Sequence, residues 1–366
     1  MQLKARDMSV ALSVIALSAA LLSLPMSVLA QDSPVSVGAG VRTSFTSLDI
    51  DGASEDINDF ELNNARIYLG GKATEQISLM FNTEYSSFDE KVVVIDAVAK
   101  FEFSKEFNIW AGRFLPPSDR ANMYGPFYAN NFVPFVDGVQ ANYPSETTGR
   151  QDGVMYWGQL GIAKISAGVF DAPVTKGDSD VIYAARAQLD FWDSEDGYYL
   201  NGTYYGEKDL LALGVATQTA SGDNAYTVDF LLEKKLDNAG VVSLEAEYAK
   251  YDGLGGAPLA ITIAGIPVGA AESDGFYALG AYLFPQVVGI GRFQVLVKAG
   301  EATFEFPVAG DVDQETAELN LNYIIKDFKA RIGLFYVDID FKPDSGGLIG
   351  IPSDSKQFGV LFQVQI

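Results

Sequence analysis

The chain has 366 residues with no cysteine and no histidine, and its 48 acidic and 25 basic residues give a formal net charge of −23. The missing residue types exclude disulfides, metal sites built on His or Cys, and hydrolases that depend on a histidine base. Nucleic acid repels so acidic a chain. We therefore expect no enzymatic activity, no cofactor or metal, and no nucleic-acid partner.

The first thirty residues predict a secretory signal peptide. Two basic residues precede a charge-free stretch from Met8 to Gln31, and residues 28–30 form a small-residue cleavage pattern that ends at Ala30. We expect residues 1–30 to be removed, so that residues 31–366 form the mature domain. An uncleaved membrane anchor is the alternative, because the apolar stretch is long enough to span a bilayer.

The rest of the chain consists of short segments in which apolar and polar residues alternate, separated by turn residues. This pattern predicts β-strands with one apolar face. In residues 224–235, Tyr226 and Val228 lie on the apolar face, and Thr227 and Asp229 lie on the polar face. The predicted strands are 35–46, 59–70, 75–86, 91–103, 106–114, 150–158, 161–171, 181–193, 197–206, 210–219, 224–235, 239–252, 274–284, 289–302, 314–326, 328–341 and 356–366.

The number of these segments is odd, whereas single-chain bacterial barrels have an even number of strands. With both termini placed on the periplasmic side, counting from each end puts the conflict at residues 197–209. We therefore predict sixteen strands and no strand in this segment. Eighteen strands is the alternative.

The strands favour a transmembrane antiparallel β-barrel over a soluble β-sandwich. Strands of about ten residues that keep one apolar face throughout are what a membrane-spanning barrel requires. The terminal segment KQFGVLFQVQI illustrates the two faces, with Phe358 and Phe362 directed to lipid and Gln363 to a water-filled lumen. Backbone groups in hydrocarbon must all be paired, which requires the sheet to close. We predict an all-β barrel in the outer membrane.

Residues 115–149 break the strand pattern with five prolines. A connection this long is functional or disordered. Aromatic residues such as Tyr124 and Phe127 give it enough apolar area to pack, and the barrel wall is the large surface available to it. We therefore predict that this segment, the third extracellular loop, folds inward and narrows the pore.

Charged residues of this loop and of the lumen are the predicted functional groups. Arg113 shares its parity with Ile109 and Ala111, so it reaches the pore only if a bulge or the loop junction turns it inward. A lumen with both charge signs creates a transverse field, and the alternative for each residue is a solvated wall charge paired with its neighbour. The predicted constriction residues are Arg113, Asp119, Arg120, Tyr124, Asp137 and Arg150. The predicted lumen charges are Arg66, Asp96, Lys100, Arg186, Asp190, Asp229, Glu233, Glu245, Glu247, Glu318, Lys329 and Arg331.

Two further connections are unusual. Residues 253–271 carry no charge, and their glycines and prolines argue against a transmembrane helix. We predict an extracellular loop with a small hairpin that covers the mouth or a neighbouring subunit, with a disordered loop as the alternative. Acidic residues between positions 49 and 59 predict a solvated first loop, with loose calcium binding as the alternative.

The motifs FNIWAGRFLPPSD and GRQDGVMYWGQLGIAKISAGVFDAP resemble the general and phosphate-selective porins of Gram-negative bacteria, in particular the porin O and P group. The resemblance implies a sixteen-stranded homotrimer among outer-membrane lipid and lipopolysaccharide, with the third extracellular loop at the constriction. Two features depart from that group. The chain has few arginines to stack along a pore, and it ends in Ile366 instead of phenylalanine.

These observations predict a porin for passive diffusion of small hydrophilic solutes and ions. The resemblance favours anions such as phosphate, whereas the net charge favours cations, so the sequence leaves the selectivity open. A structural or adhesive barrel without an open pore is the alternative function.

Overall fold

The computed structural model describes residues 35–86, 91–145, 148–172, 181–256, 260–263, 266–306, 310–343 and 353–366. The predicted signal peptide lies outside the described residues. No helix in the described ranges is long and apolar enough to cross a membrane.

Sixteen strands of the described chain form one closed antiparallel barrel, and two more form a separate hairpin. The elements, in chain order, are β1 (Val35–Ile50), β2 (Ile57–Lys72), β3 (Ile77–Ser86), β4 (Lys91–Glu102), β5 (Asn108–Phe114), α1 (Arg120–Tyr128), β6 (Gln151–Leu160), β7 (Ala163–Asp171), β8 (Val181–Asp190), β9 (Leu210–Ala220), β10 (Asp223–Lys235), β11 (Val241–Asp252), β12 (Ala260–Ile263), β13 (Ile266–Gly269), β14 (Glu272–Val288), β15 (Gly291–Phe306), β16 (Gly310–Lys326), β17 (Ala330–Pro343) and β18 (Ser355–Gln365).

Each barrel strand pairs with its neighbour along the chain, and β1 pairs with β18 to close the sheet. The predicted sixteen-stranded barrel is confirmed, and residues 197–206 form no strand. The hairpin of β12 and β13 lies within the uncharged connection 253–271, between β11 and β14. The predicted hairpin is therefore present.

The two faces of the barrel wall have opposite character. On β18, Phe358 is 57% exposed and Phe362 is 44% exposed, whereas Gln363 is 1% exposed. The same alternation of exposed and buried residues runs along β10 and β11, where Val228 and Leu244 point outward. A closed sheet with an apolar outer surface satisfies its own backbone in hydrocarbon. The protein is an outer-membrane β-barrel.

Because the strands alternate in direction, the place of each connection follows from its order in the chain. Val35 and Ile366 lie at one rim, which we call the terminal rim, and the opposite rim is the loop rim. β5 ends at the loop rim, so residues 115–149, the constriction loop, enter the barrel there. β8 ends at the terminal rim, so residues 191–209, the β8–β9 connection, enter from the opposite end.

One strand begins later than its alternation predicts. The pattern places Phe328 on the lipid face of a strand that begins there, but β17 begins at Ala330 and Phe328 lies in the preceding turn. Phe328 is buried against Tyr128 and Tyr205, with ring centroids 5.3 and 5.1 Å apart. Because Phe328 lies in a turn, the alternation of strand residues does not determine its direction, and its ring points inward. Lys329, predicted in the lumen, is exposed in the same turn.

Candidate channel constriction

The constriction loop folds into the barrel as predicted, and it begins with a helix that the sequence does not reveal. Asp119 caps α1, because its Oδ2 accepts hydrogen bonds from the backbone N–H groups of Asn122 and Ala141, each at 3.0 Å. Gly125, with a φ of 64°, and Pro126 kink the helix. Glycine and proline disfavour a helix. Because almost every side of α1 is buried, its sequence also lacks the alternation of apolar and polar faces that would indicate a helix.

Burial also changes the acidity of the cap. The pKa of Asp119 is raised to about 7 by desolvation, although the N–H groups of Asn122 and Ala141 act in the opposite direction. A carboxyl group with this pKa exchanges its proton near neutral pH. The helix cap is therefore a titrating group inside the barrel.

The loop is tied to the wall at several points. Lys298 of β15 pairs with Asp137, with 2.5 Å between Nζ and Oδ2, and both side chains are fully buried. Tyr124 of α1 donates its hydroxyl to Oε1 of Glu245 on β11 at 2.9 Å. Gln140 donates to the Tyr124 hydroxyl at 3.0 Å and accepts a hydrogen bond from Lys298. The predicted residues Tyr124 and Asp137 thus fix the loop in position.

Arg120 is at the centre of a buried ionic network. Its Nη2 lies 2.5 Å from Oε2 of Glu195 and its Nη1 lies 3.0 Å from Oε1, a two-point contact that favours guanidinium. Its Nε lies 3.6 Å from Asp229, which also pairs with Arg186. Burial acts to raise the pKa of Glu195, but the Arg120 guanidinium outweighs it and lowers the pKa to about 2. Glu195 therefore stays ionised across the physiological range.

Basic side chains collect on another part of the wall, around two aromatic rings of the loop. The Arg66 guanidinium lies 4.9 Å from the centre of the Phe127 ring, and that of Arg331 lies 4.5 Å from the Phe132 ring. Arg42 donates to the carbonyl oxygen of Phe132 at 2.6 Å. We call Arg42, Arg66 and Arg331 the basic wall.

Carboxylates face this wall. Asp229, Glu245 and Glu247, on β10 and β11, form the acidic wall, and the strand order places β10 across the barrel from β2. Asp229 and Glu247 are direct neighbours in the register of β10 and β11. Neither carboxylate oxygen of Glu247 has a hydrogen-bond partner among the described residues. Each wall also contains a partner of the opposite sign, because Arg66 pairs with Glu84 at 2.6 Å and Asp229 pairs with Arg186.

One predicted constriction residue lies elsewhere. Arg113 pairs with Asp152 on the outer face of the barrel, with 2.6 Å between Nε and Oδ1. In the sheet it stands beside Ala97 and Asp152, on the face opposite the buried Trp110 and Phe114. The prediction of an inward Arg113 is wrong, because β5 keeps its parity to its last residue.

The remaining predicted residues face the interior in separate groups. Arg150 lies 3.3 Å from Asp96, on the side of the barrel away from Arg120. The Lys100 ammonium lies 4.0 Å from the centre of the Trp110 ring. The other predicted charges that are buried within the barrel are Arg66, Arg186, Asp190, Asp229, Glu233, Glu245, Glu247, Glu318 and Arg331. Their part in ion selectivity stays a prediction.

The β8–β9 connection is the functional element that the sequence does not identify. Its Tyr198 hydroxyl donates to the carbonyl oxygen of Leu115 at 2.9 Å, and its Gly202 N–H donates to that of Tyr128 at 2.9 Å. The sequence around Tyr198 resembles a strand, so the sequence does not indicate that this segment folds into the lumen. Arg42, Lys298 and Glu195 are also missed. Strand parity could have found the first two.

Together the two inward segments fill the middle of the barrel. Glu84, Glu233 and Asn320, on three different parts of the wall, are all 0% exposed. An open recess of about 400 Å³ remains at the terminal rim, where Tyr68, Tyr128 and Lys329 are among its lining residues. The inward segments therefore cover several parts of the inner wall of the described chain, and a recess remains open at this rim.

Comparison with known proteins identifies the fold of this chain but no family. No family model matches the sequence, and no curated protein is significantly similar to it. OmpF of Salmonella typhi, in a complex with daunomycin, is 12% identical with a TM-score of 0.61, over 90% of this chain and 97% of that chain. OprB of Pseudomonas putida is 10% identical with a TM-score of 0.60, over 93% and 96%. An anion-selective porin of Comamonas acidovorans is 10% identical with a TM-score of 0.55, over 91% and 99%.

This chain has the porin fold. Identities this low establish the architecture alone, so the resemblance to the phosphate-selective group stays a prediction.

Proposed function

We propose that the protein is a porin through which small hydrophilic solutes and ions diffuse across the outer membrane. The observation that carries the proposal is the constriction, where a loop is held across the lumen between a basic and an acidic wall. Opposed charges at a narrow section order water and dipolar solutes in a transverse field.

Anions such as phosphate are the proposed preference along the basic wall. Arg42 and Arg331 form no ion pair with a carboxylate of the described chain, and they donate instead to the carbonyl oxygens of Phe132 and Ala129, at 2.6 and 2.7 Å. Their charge is therefore not cancelled locally, and a low-dielectric wall strengthens its field. The carboxylates across the lumen act against this preference.

The test is electrical. Stepwise conductance of the folded, heat-modifiable protein in a planar bilayer is the expected result, and a folded protein that never conducts would overturn the proposal. The reversal potential across a potassium chloride gradient gives the selectivity. Arg331→Gln should shift it toward cations, whereas Lys329→Gln, the same charge change at an exposed turn position, should shift it little. Equal shifts would contradict an anion path at the basic wall.

Assembly as a homotrimer, surrounded by lipid and lipopolysaccharide, is part of the proposal and is supported by the sequence resemblance. The mass of the purified complex in detergent, corrected for bound detergent, tests it. A monomeric mass would contradict the proposed trimer but would leave the proposed channel function untouched.

A barrel without an open pore is the second candidate, because the two inward segments cover several parts of the inner wall. Glu84, Glu233 and Asn320, on three of these parts, are fully buried. The bilayer experiment separates the two candidates, since only a porin conducts.

A further inference from the structure

We infer that the β8–β9 connection, residues 191–209, is a displaceable plug that closes the channel from the terminal rim and is held there by the Arg120–Glu195 pair. The inference rests on the proposed porin function and concerns the regulation of the same constriction.

The connection is far longer than its position in the fold requires. β8 and β9 pair directly, down to Asp190 and Ala212 near the terminal rim, so a short turn is sufficient to join them. Every other connection at this rim, all within the described ranges, spans at most five residues. The additional chain does not serve the barrel wall, and it is directed into the lumen.

Within the lumen the connection bonds to the constriction loop along its length. Its Tyr198 and Gly202 donate to carbonyl oxygens of Leu115 and Tyr128, as described above, and the Leu200 N–H points to the carbonyl oxygen of Met123 at 3.4 Å. Arg120 donates to the carbonyl oxygen of Asn201 at 3.0 Å. Two segments that enter from opposite rims therefore meet and form one barrier.

The strongest of these contacts is the ion pair. Arg120 and Glu195 are both 0% exposed and make two hydrogen bonds to each other. Glu195 also accepts hydrogen bonds from Gln188 at 2.7 Å and from Tyr204 at 2.9 Å. Removal of one partner from a buried pair leaves an uncompensated charge, so this pair couples the position of the connection to that of the loop.

The connection also has the features of a segment that moves as a unit. Its buried part lies between Gly197 and Gly206, both with a φ of 82°, a region that glycine enters without steric cost. Hinge motions are absorbed by a few such residues. The wall holds the buried part through Glu233, which accepts hydrogen bonds from Thr203, Tyr204 and Gly206, and through ring contacts of Tyr198 with Trp110 and of Tyr205 with Phe328. Release of the ion pair would remove the charged contact between the connection and the constriction loop.

The experiment compares two isosteric variants at adjacent positions. Glu195→Gln removes the buried charge, and Asp196→Asn removes an exposed one that pairs with Lys208 at 3.0 Å on the same connection. We expect the first variant to open more often and to raise mean conductance severalfold, and the second to behave as the parent. Equal behaviour of the two variants would overturn the role of the pair.

A crosslink tests the plug itself and does not depend on a weakened fold. The chain has no cysteine, so Met123→Cys with Leu200→Cys introduces a single reducible bond between loop and connection. We expect the oxidised protein to be closed and a reductant to restore conductance, while reductant has no effect on the parent or on either single variant. Equal conductance of the oxidised and reduced forms would overturn the inference.

A shortened connection separates failure of this inference from failure of the proposed function. We expect replacement of residues 192–208 by Asn-Gly to raise single-channel conductance severalfold, because the lumen loses its filling from the terminal rim. If parent and shortened proteins conduct alike, the porin stands and the plug is rejected. If all the folded variants are silent, the porin is rejected as well.

Discussion

The two segments that fill the barrel differ in what holds them. The constriction loop is bonded to the wall, most firmly where Asp137 pairs with Lys298 at 2.5 Å. The β8–β9 connection forms its buried ion pair with the constriction loop, through Glu195 and Arg120, and it contacts the wall through hydrogen bonds to Glu233 and through the packing of Tyr198 on Trp110. A fixed segment and a segment that rests on it can serve different purposes. We propose that the first sets the size and charge of the passage and that the second blocks it.

Deletion of the fixed segment should have the largest effect. Removal of residues 118–140 takes away α1, the wall contact at Asp137 and the groups to which the connection is bonded. We expect single-channel conductance to rise by more than it does when the connection alone is shortened. Bilayer recordings of the two variants check this order. An unchanged conductance after the deletion would show that the loop does not form the narrow section.

Charge reversal at the contact between the segments should come next. Arg120→Glu places a third carboxylate beside Glu195 and Asp229, which breaks the contact and shifts permeability toward cations. The shift should be larger at low salt, since the Debye length is about 10 Å at 0.1 M. The reversal potential measures it.

The control for this variant is a reversal of equal size in the first loop, Asp51→Arg, at an exposed position. It should change the reversal potential much less, because exposed charges are screened. If the two changes acted with equal strength, the surface field would set the selectivity and the constriction would not.

Loss of the wall anchor should destabilise the fixed segment without opening the channel as far. Lys298→Met leaves Asp137 buried without its cation, which costs on the order of 3–5 kcal/mol. Lys342→Met is the matched control, because its pair with Glu315 is exposed and worth about 1 kcal/mol or less. Urea unfolding of the two variants checks the difference. Similar losses would mean that the loop does not depend on this anchor.

The smallest effect on conductance is expected at the helix cap, where the measurable consequence is a dependence of stability on pH. Folding raises the pKa of Asp119 from 3.8 to about 7, so the folded state holds the proton more tightly than the unfolded state. Its contribution to stability is therefore complete below the unfolded pKa and is lost as pH rises toward 7. The free energy of unfolding should fall over this range, by at most about 4 kcal/mol.

Asp119→Asn should flatten this part of the stability profile, while Asp51→Asn at an exposed position should leave it unchanged. Unfolding curves at several pH values compare the three proteins. A profile that keeps its slope in Asp119→Asn would assign the dependence to another group.

Strand periodicity predicts the wall of the molecule well. Successive residues of a strand point to opposite faces, which predicts that Glu245, Glu247 and Arg331 point into the barrel. The structure confirms this, because one face of each strand contacts lipid and must be apolar, whereas the other faces the lumen and can be polar. Arg113 follows the same alternation, which places it on the outer face of the barrel. The prediction fails where it assumes that the end of β5 departs from its parity, and also before β17, where Phe328 and Lys329 lie in a turn.

The contents of the barrel are much less predictable. The constriction loop stands out through its length and its prolines, but the Arg120–Glu195 pair joins residues 75 positions apart, and a single sequence contains no signal for such a partner. Residues 197–206 resemble a strand in sequence, but Tyr198 and Leu200 are buried inside the barrel, against wall residues such as Trp110 and against the constriction loop. Tertiary contacts, and not local preference, decide the shape of these segments.

The basic wall also bears on the order in which the barrel assembles. Gly40 of β1 pairs with Gln365 of β18, from opposite ends of the chain, and contacts so distant in sequence form late. Arg42 and Gln363, on these same two strands, donate to carbonyl oxygens of Phe132 and Phe127 in the constriction loop. We therefore expect the seam to close around a loop already in place, whose carbonyl groups align the last two strands.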